Sequence, residues 1–298
     1  MNSIVAIIID GLVYSSWLFI VAVGLTLIYG VMKILNIAHG SFYAIGAYTA
    51  ASLTGSWLAL GYDQSTAFLI MLFSAVLVGF TLGPIIERGI LKYMYQRDEI
   101  VLVLVTYALF LMLEDIIKLI WGVNPYFLYQ PYGLLGSFEI VELTYPNYNL
   151  LLIGCAITIG CFLTWFLQKT RHGKILLAVI HDREIASTQG INVDRVYFLT
   201  FTLGTVLAAL GGVLTAPMIS VQPGIGAETI VMAFAVVVVG GLGSLPGAAL
   251  AAILIGLVRS GAVHLFPDLD LFSIYLVMAT VLIFKPKGLF SAQEERQI

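Results

Sequence analysis

Thr229-Ile-Val-Met-Ala-Phe-Ala-Val-Val-Val-Val-Gly-Gly-Leu-Gly-Ser-Leu-Pro-Gly-Ala-Ala-Leu-Ala-Ala-Ile-Leu-Ile-Gly-Leu-Val-Arg-Ser-Gly-Ala-Val-His-Leu-Phe266 carries a single Lys or Arg, Arg259. A helical bilayer crossing takes about 20 residues, so the tract is too long for one crossing. Its interior reads Gly240-Gly-Leu-Gly-Ser-Leu-Pro-Gly247, with four glycines and a proline. Glycine relaxes backbone sterics and proline removes a donor, so a helix breaks here. Helix is the state expected on either side. Lipid offers no water to a bare backbone, and the runs lack the alternation of a barrel strand. The first half, 229–239, is too short to cross straight. It reads as a half-helix packed inside protein, where irregular backbone at depth is tolerated.

The whole chain has the same character. Of its 298 residues 60% are hydrophobic and 10% charged, with a mean hydropathy of +1.01. Soluble domains carry about 25% charged residues, and 14 basic plus 17 acidic side chains could not cover a soluble surface of this size. Fold class is therefore all-α, a polytopic membrane protein and a single transmembrane domain over 1–298. The net charge of −3 excludes nucleic acid as a partner; the bilayer itself is the implied one. Cys155 and Cys161, both in one apolar run, read as small apolar fillers rather than a metal site or disulfide. No metal site is expected. The start, Met1-Asn-Ser-Ile-Val, lacks a basic region and reads as the first span, not as a removed signal.

Apolar runs lie at 4–31, 40–60, 65–86, 100–121, 148–167, 196–219, the tract above, and 269–284. Arg88, Lys92 and Arg97 share one connection. Lys169, Arg171, Lys174, Arg183 and Arg195 share another, and Lys285, Lys287 and Arg296 follow the last run. The positive-inside bias places all three on the cytoplasmic side. Segment 122–147, with Glu139 and Glu142 but no Lys or Arg, is an outer loop. Residues 220–228 are then outside and Lys285 inside, so an odd number of crossings separates them. Splitting the tract at 240–247 gives three. The expectation is eight or nine transmembrane helices including broken ones, N-terminus outside and C-terminus cytoplasmic.

A second break lies at Gly30-Val-Met-Lys-Ile-Leu-Asn-Ile-Ala-His-Gly-Ser-Phe42. It reads either as a plain cytoplasmic turn or as a discontinuous helix whose polar groups line a solute path. On the second reading Asn36, His39, Ser41 and Tyr43 line the path, and Gly240, Gly241, Gly243 and Ser244 in the facing break leave room. Glu114 and Lys118 are spaced for an intrahelical pair, either snorkelling at the outer interface or in the pathway. The cytoplasmic segment 168–196 contains a short helix from about Asp182 to Gln189, stopped by Gly190. Asp182 and Glu184 suit its positive end. It serves either as an ordinary connection or as a grip for another protein.

Glu184-Ile-Ala186-Ser-Thr-Gln-Gly190 is similar to the Glu-Ala-Ala-x-x-x-Gly signature of ABC-importer permeases. Ala178-Val-Ile-His-Asp-Arg-Glu-Ile-Ala-Ser-Thr-Gln-Gly-Ile-Asn-Val-Asp-Arg195, Leu35-Asn-Ile-Ala-His-Gly-Ser-Phe-Tyr-Ala-Ile-Gly-Ala-Tyr48, Val239-Gly-Gly-Leu-Gly-Ser-Leu-Pro-Gly-Ala248 and Pro286-Lys-Gly-Leu289 resemble the LivH-type permeases of branched-chain amino-acid importers. Ile185 departs from the usual Ala. The resemblance implies a subunit that passes branched-chain or other neutral amino acids, or urea and short amides, through a bacterial inner membrane. Its implied partners are a second, similar permease, two ABC ATPases and an external substrate-binding protein. It implies that 168–196 is the ATPase-coupling loop, with Asp182, Arg183, Glu184, Ala186 and Gly190 at the contact, and Ala186 pressed into an ATPase groove. The chain has no Gly-x-x-x-x-Gly-Lys-Ser/Thr loop to hold ATP and no expected cofactor. A passive channel explains the breaks but not the capped cytoplasmic helix. An intramembrane enzyme needs a third orienting group beside His39 and Ser41.

Overall fold

The computed structural model describes residues 2–129, 131–140 and 143–290; Glu142 and Arg296 lie outside them. Helix α1 (Asn2–Met32) is followed by α2 (His39–Ala59), α3 (Ala67–Gly89), α4 (Glu99–Trp121) and α5 (Asn147–Lys169). Two short helices, α6 (Arg171–His181) and α7 (Arg183–Thr188), precede α8 (Val193–Thr215), α9 (Ile225–Gly240), α10 (Leu245–Leu265) and α11 (Asp270–Phe284). Six of these helices are long and apolar enough to cross a membrane, and α9 and α11 are shorter apolar helices. With α2 they match the expected architecture. The outer connection holds a hairpin, strands β1 (Ser137–Ile140) and β2 (Leu143–Pro146), antiparallel with Ser137 opposite Pro146. Strand pairing there had no signal in the sequence reading.

The helices sort into two ends. At one end Gly243 rests on Gly30, Leu289 and Phe290 donate N–H bonds to Val239 and Gly240 carbonyls (2.8 and 2.9 Å), and Lys92 meets Asp194 at 3.9 Å. This end gathers the basic connections, as the charge bias required. At the other end His264 contacts Asp10 at 2.8 Å, Arg259 clamps Asp270 with two bonds of 2.5 and 2.8 Å, and Tyr126 bridges to Val221. The N-terminal helix therefore starts at the outer end; α9 ends at the basic end, α10 returns to the outer end and α11 runs back to the basic end.

α1 and α8 form the centre because their small residues let neighbours approach. A Cβ at Gly204 would strike Ile28, one at Gly211 would strike Val21, and one at Gly212 would strike the Tyr43 carbonyl. From the other side Gly46 packs on Ala209 and Gly79 on Val206. Close backbone contact replaces the hydrophobic drive that lipid cannot supply between helices.

Helix α9 begins four residues before the expected half-helix, so Glu228 stands in its first turn rather than in an outer loop. At 1.5 Å per residue its 16 residues span about 24 Å, short of a hydrocarbon core of about 30 Å. The break before α10 is the short turn 241–244.

Candidate functional site

Two places hold the residues singled out in the sequence. The first is the break after α1. Lys33 takes a positive φ of 57°, ending the helix, and residues 33–38 run back without helical structure. They bring His39 level with the middle of α1, where its Nε2–H donates to the Val21 carbonyl at 3.0 Å. Val21 is midway between Asp10, at the outer end, and Gly30, at the basic end. α2 therefore starts near mid-depth. It is a discontinuous helix, not the far side of a plain turn.

The returning chain is held against α4. The Ile37 N–H donates to Thr106 Oγ1 at 3.3 Å, and Thr106 donates to the Leu35 carbonyl at 3.1 Å. Ser41 donates to the Phe110 carbonyl at 3.3 Å, and Tyr43 shares a 2.7 Å bond with Thr215. Asn36, His39, Ser41 and Tyr43 are all buried. Asn36 leaves both polar side-chain atoms without a partner, and His39 leaves Nδ1. A buried polar atom without a partner costs about 1–3 kcal/mol.

The element opposite this break is the start of α9. A Cβ at Gly40 would fall on the Gly226 carbonyl, and one at Gly226 would come within 2.8 Å of the Gly40 carbonyl. Only two glycines let the two helix N-termini touch. Both termini carry partial positive charge and free N–H groups. A carboxylate stands beside them: Glu114 Oε1 of α4 would be 2.6 Å from a Cβ at Gly226. Glu114 is 7% exposed with Oε1 unpartnered. The intrahelical pairing with Lys118 does not form; Lys118 bonds Asp115 at 3.1 Å instead, because Glu114 faces inward and Lys118 outward on the same helix.

The expected path residues Gly240, Gly241, Gly243 and Ser244 meet the front break at its first residue, Gly243 lying against Gly30. They form the α9–α10 turn at the basic end, where Gly241 and Gly243 have φ of 101° and 83°. Ser244 caps α10 by accepting the Gly247 N–H at 3.2 Å. Glu114 of α4 meets the start of α9 at Gly226, a meeting that spacing within α4 does not show. The available signal was Pro223-Gly-Ile-Gly226, a second turn string just ahead of the apolar tract.

The second place is α7 at the basic end. Asp182 Oδ1 accepts the N–H groups of Glu184 and Ile185, each at 2.9 Å, a side-chain N-cap. The helix ends with Gly190 at φ 85° and the Ile191 N–H bonded to the Ala186 carbonyl at 3.1 Å, a left-handed glycine terminator. Asp182, Arg183, Glu184 and Gly190 are exposed. Ala186 is 2% exposed within this chain. The apolar side chain that α7 offers outward is Ile185, 56% exposed.

A family model described as the branched-chain amino acid transport system permease component matches residues 7–283. The chain belongs to this family. Among curated relatives, the permease protein LivH of Salmonella typhimurium is 26% identical over 97% of this chain and 96% of its own. The high-affinity branched-chain amino acid permease protein BraD of Pseudomonas aeruginosa is 27% identical over 97% and 96%. The autoinducer 2 import permease LsrC of Escherichia coli is 28% identical over 79% of this chain and 64% of its own. Among solved structures, PsaBC from Streptococcus pneumoniae in complex with Fab shares the fold, with TM-score 0.52, 16% identity, and coverage of 92% of this chain and 89% of that one. As a permease of this family the protein is a multi-pass bacterial membrane protein and a transport subunit.

Proposed function

We propose that this permease passes branched-chain amino acids, or other neutral amino acids, across the bacterial inner membrane as part of an ATP-driven importer. End-to-end similarity to branched-chain amino acid permeases carries the reading. An external binding protein delivers the solute, a second homologous permease completes the path as a heterodimer, and two ABC ATPases hydrolyse ATP. The whole chain is one permease domain, with 168–196 as the coupling loop.

In this reading the path runs past the meeting of α2 and α9. Asn36 and His39 supply an amide and an imidazole nitrogen to the solute, with Ser41 and Tyr43 beside them, and the turn at Gly240, Gly241, Gly243 and Ser244 lies toward the exit. Two helix N-termini suit a solute carboxylate, and the Glu114 carboxylate suits an ammonium group. Half-helix α9 is the mobile wall. It is tied at the basic end to Leu289 and Phe290, to α1 by the Tyr14 hydroxyl on the Met232 sulfur, and to α2 at the Gly40–Gly226 contact. ATP-driven closure of the ATPases tilts it through the cytoplasmic end. Contacts to the solute stay weak, because tight binding in the path would slow release.

The test is uptake of labelled leucine by proteoliposomes holding the complete importer, challenged with isoleucine, valine, urea and acetamide. Competition by the branched-chain amino acids supports the reading. Competition by urea or acetamide alone assigns the same architecture to amides.

A further inference from the structure

The chain that leaves α4 is folded back over the outer end of the bundle as a strap, 122–128. Gly122, at φ 79°, turns it out of the helix. Tyr126 then pairs with Val221, just ahead of α9, by two backbone bonds. The Tyr126 N–H donates to the Val221 carbonyl at 2.8 Å, and the Val221 N–H donates to the Tyr126 carbonyl at 2.9 Å. Val221 and Leu128 are buried. The Tyr48 ring of α2 meets Tyr126 edge-on at 5.8 Å and Trp121 at 5.5 Å, and Trp121 Nε1 donates to Ser52 Oγ at 3.2 Å. The strap, α2 and the end of α4 are thus closed on one another, and the bridge carries that closure to the segment leading into α9.

Beneath the strap lies the meeting of α2 and α9. Glu114 is about two turns before Trp121 on α4, with its Oε1 beside Gly226. Glu114 Oε1 and the Tyr48 hydroxyl are both buried without a partner. The closed strap keeps its ring contacts and two backbone bonds but leaves these polar groups dry. A lifted strap loses the contacts and gives both groups water, so the cost of opening is partly offset. The backbone on either side is free to turn. Gly122 and Gly224 have φ of 79° and 96°, and a Cβ at either would meet nothing within 4 Å. Such positions at the ends of helices absorb the dihedral changes of a hinge. Among the described residues no ion pair reinforces the bridge.

We infer that strap 122–128 is the outer gate of the path. The Tyr126–Val221 bridge and the rings of Tyr48, Trp121 and Tyr126 close it over Glu114, and solute enters when the bridge parts and the start of α9 swings at Gly224. This inference rests on the reading that the path runs past the meeting of α2 and α9. It adds the residues that seal that path and the bonds that must break. A strap with a purely structural role would stay paired throughout the transport cycle.

The experiment locks the bridge. Bonded partners of an antiparallel pair have Cα atoms about 5.5 Å apart, within the span of a disulfide. In a chain with Cys155 and Cys161 replaced by Ala, Tyr126→Cys and Val221→Cys are introduced together, and leucine uptake is measured in proteoliposomes holding the complete importer. Oxidation should cut uptake roughly tenfold or more, and reduction should restore it. A control disulfide, Phe138→Cys with Tyr145→Cys across the hairpin of the same connection, should leave uptake unchanged. Undiminished uptake with the bridge shown by mass spectrometry to be crosslinked overturns the gate, and so does an equal loss from the control disulfide. Should the complete importer carry only urea or acetamide, the branched-chain reading fails, while the same comparison run with that solute still decides the gate. A second measurement leaves the bridge residues intact. Spin labels at the exposed Phe127 and Gln222, next to the paired residues, should report one short distance at rest and a second, longer one when loaded binding protein and ATP are added. One unchanged distance in every state overturns the inference.

Discussion

Replacing Gly190 isolates the energetics of the α7 turn. Its φ of 85° lies in the left-handed region, and no heavy atom lies within 4 Å of where a Cβ would project. A side chain there meets no steric obstacle, so backbone conformation is the whole cost. For an L-residue that cost is roughly 1–2 kcal/mol. A six-residue helix held by one Asp182 cap and one glycine terminator has little stability of its own to absorb it. A penalty of this size lowers the docking-ready population by about 5–30-fold. Gly190→Ala should therefore weaken ATPase association by about that factor. Gly190→Asn should weaken it least, since Asn tolerates the left-handed region, and Gly190→Val most. The assay is titration of purified ATPase onto the permease pair in nanodiscs. Insertion and pairing should be unchanged, because no membrane-depth contact is touched. Wild-type affinity in both Gly190→Ala and Gly190→Val would refute the reasoning.

The mid-depth site yields three further expectations. Asn36→Leu should abolish uptake while the complex assembles normally, because neither polar atom of the Asn36 side chain bonds the protein; normal uptake in proteoliposomes would remove Asn36 from the path. Glu114→Gln should keep or raise thermal stability in detergent, because a neutral amide of the same shape loses less on burial than a carboxylate whose Oε1 has no partner; melting well below wild type would show that the charge is needed where it sits. Gly40→Ala should force α2 and α9 apart, since its Cβ falls on the Gly226 backbone, at a cost of about 1–3 kcal/mol; unchanged melting and uptake would show that the two helices separate freely.

Much of this architecture was open to a reader of the chain because lipid restricts the choices. Helical spans, their orientation from Lys and Arg, and the break at 240–247 follow from rules that hold one residue run at a time. Gly190 and Asp182 were equally legible, since a cap and a left-handed terminator are local. Facing relationships were not. The sequence presents two polar or glycine-rich breaks, and they meet at one end, Gly243 on Gly30, while the far end of the first break, Gly40, meets the start of α9 at Gly226. Glu114 looked like the partner of Lys118 because spacing alone cannot say which side of α4 meets protein. Each of these depends on how helices rotate about their axes in packing, which spacing within a single helix does not encode. The bridge at the outer end joins Tyr126 to Val221, so it had no signature in any one segment.

The most direct test of the transport reading is labelled leucine flux into proteoliposomes that hold the permease pair with and without its ATPases and binding protein. The account predicts no flux from the permeases alone, and ATP-dependent uptake once ATPases and binding protein are added. Rapid flux through the permeases alone, indifferent to ATP, would identify a channel and contradict it.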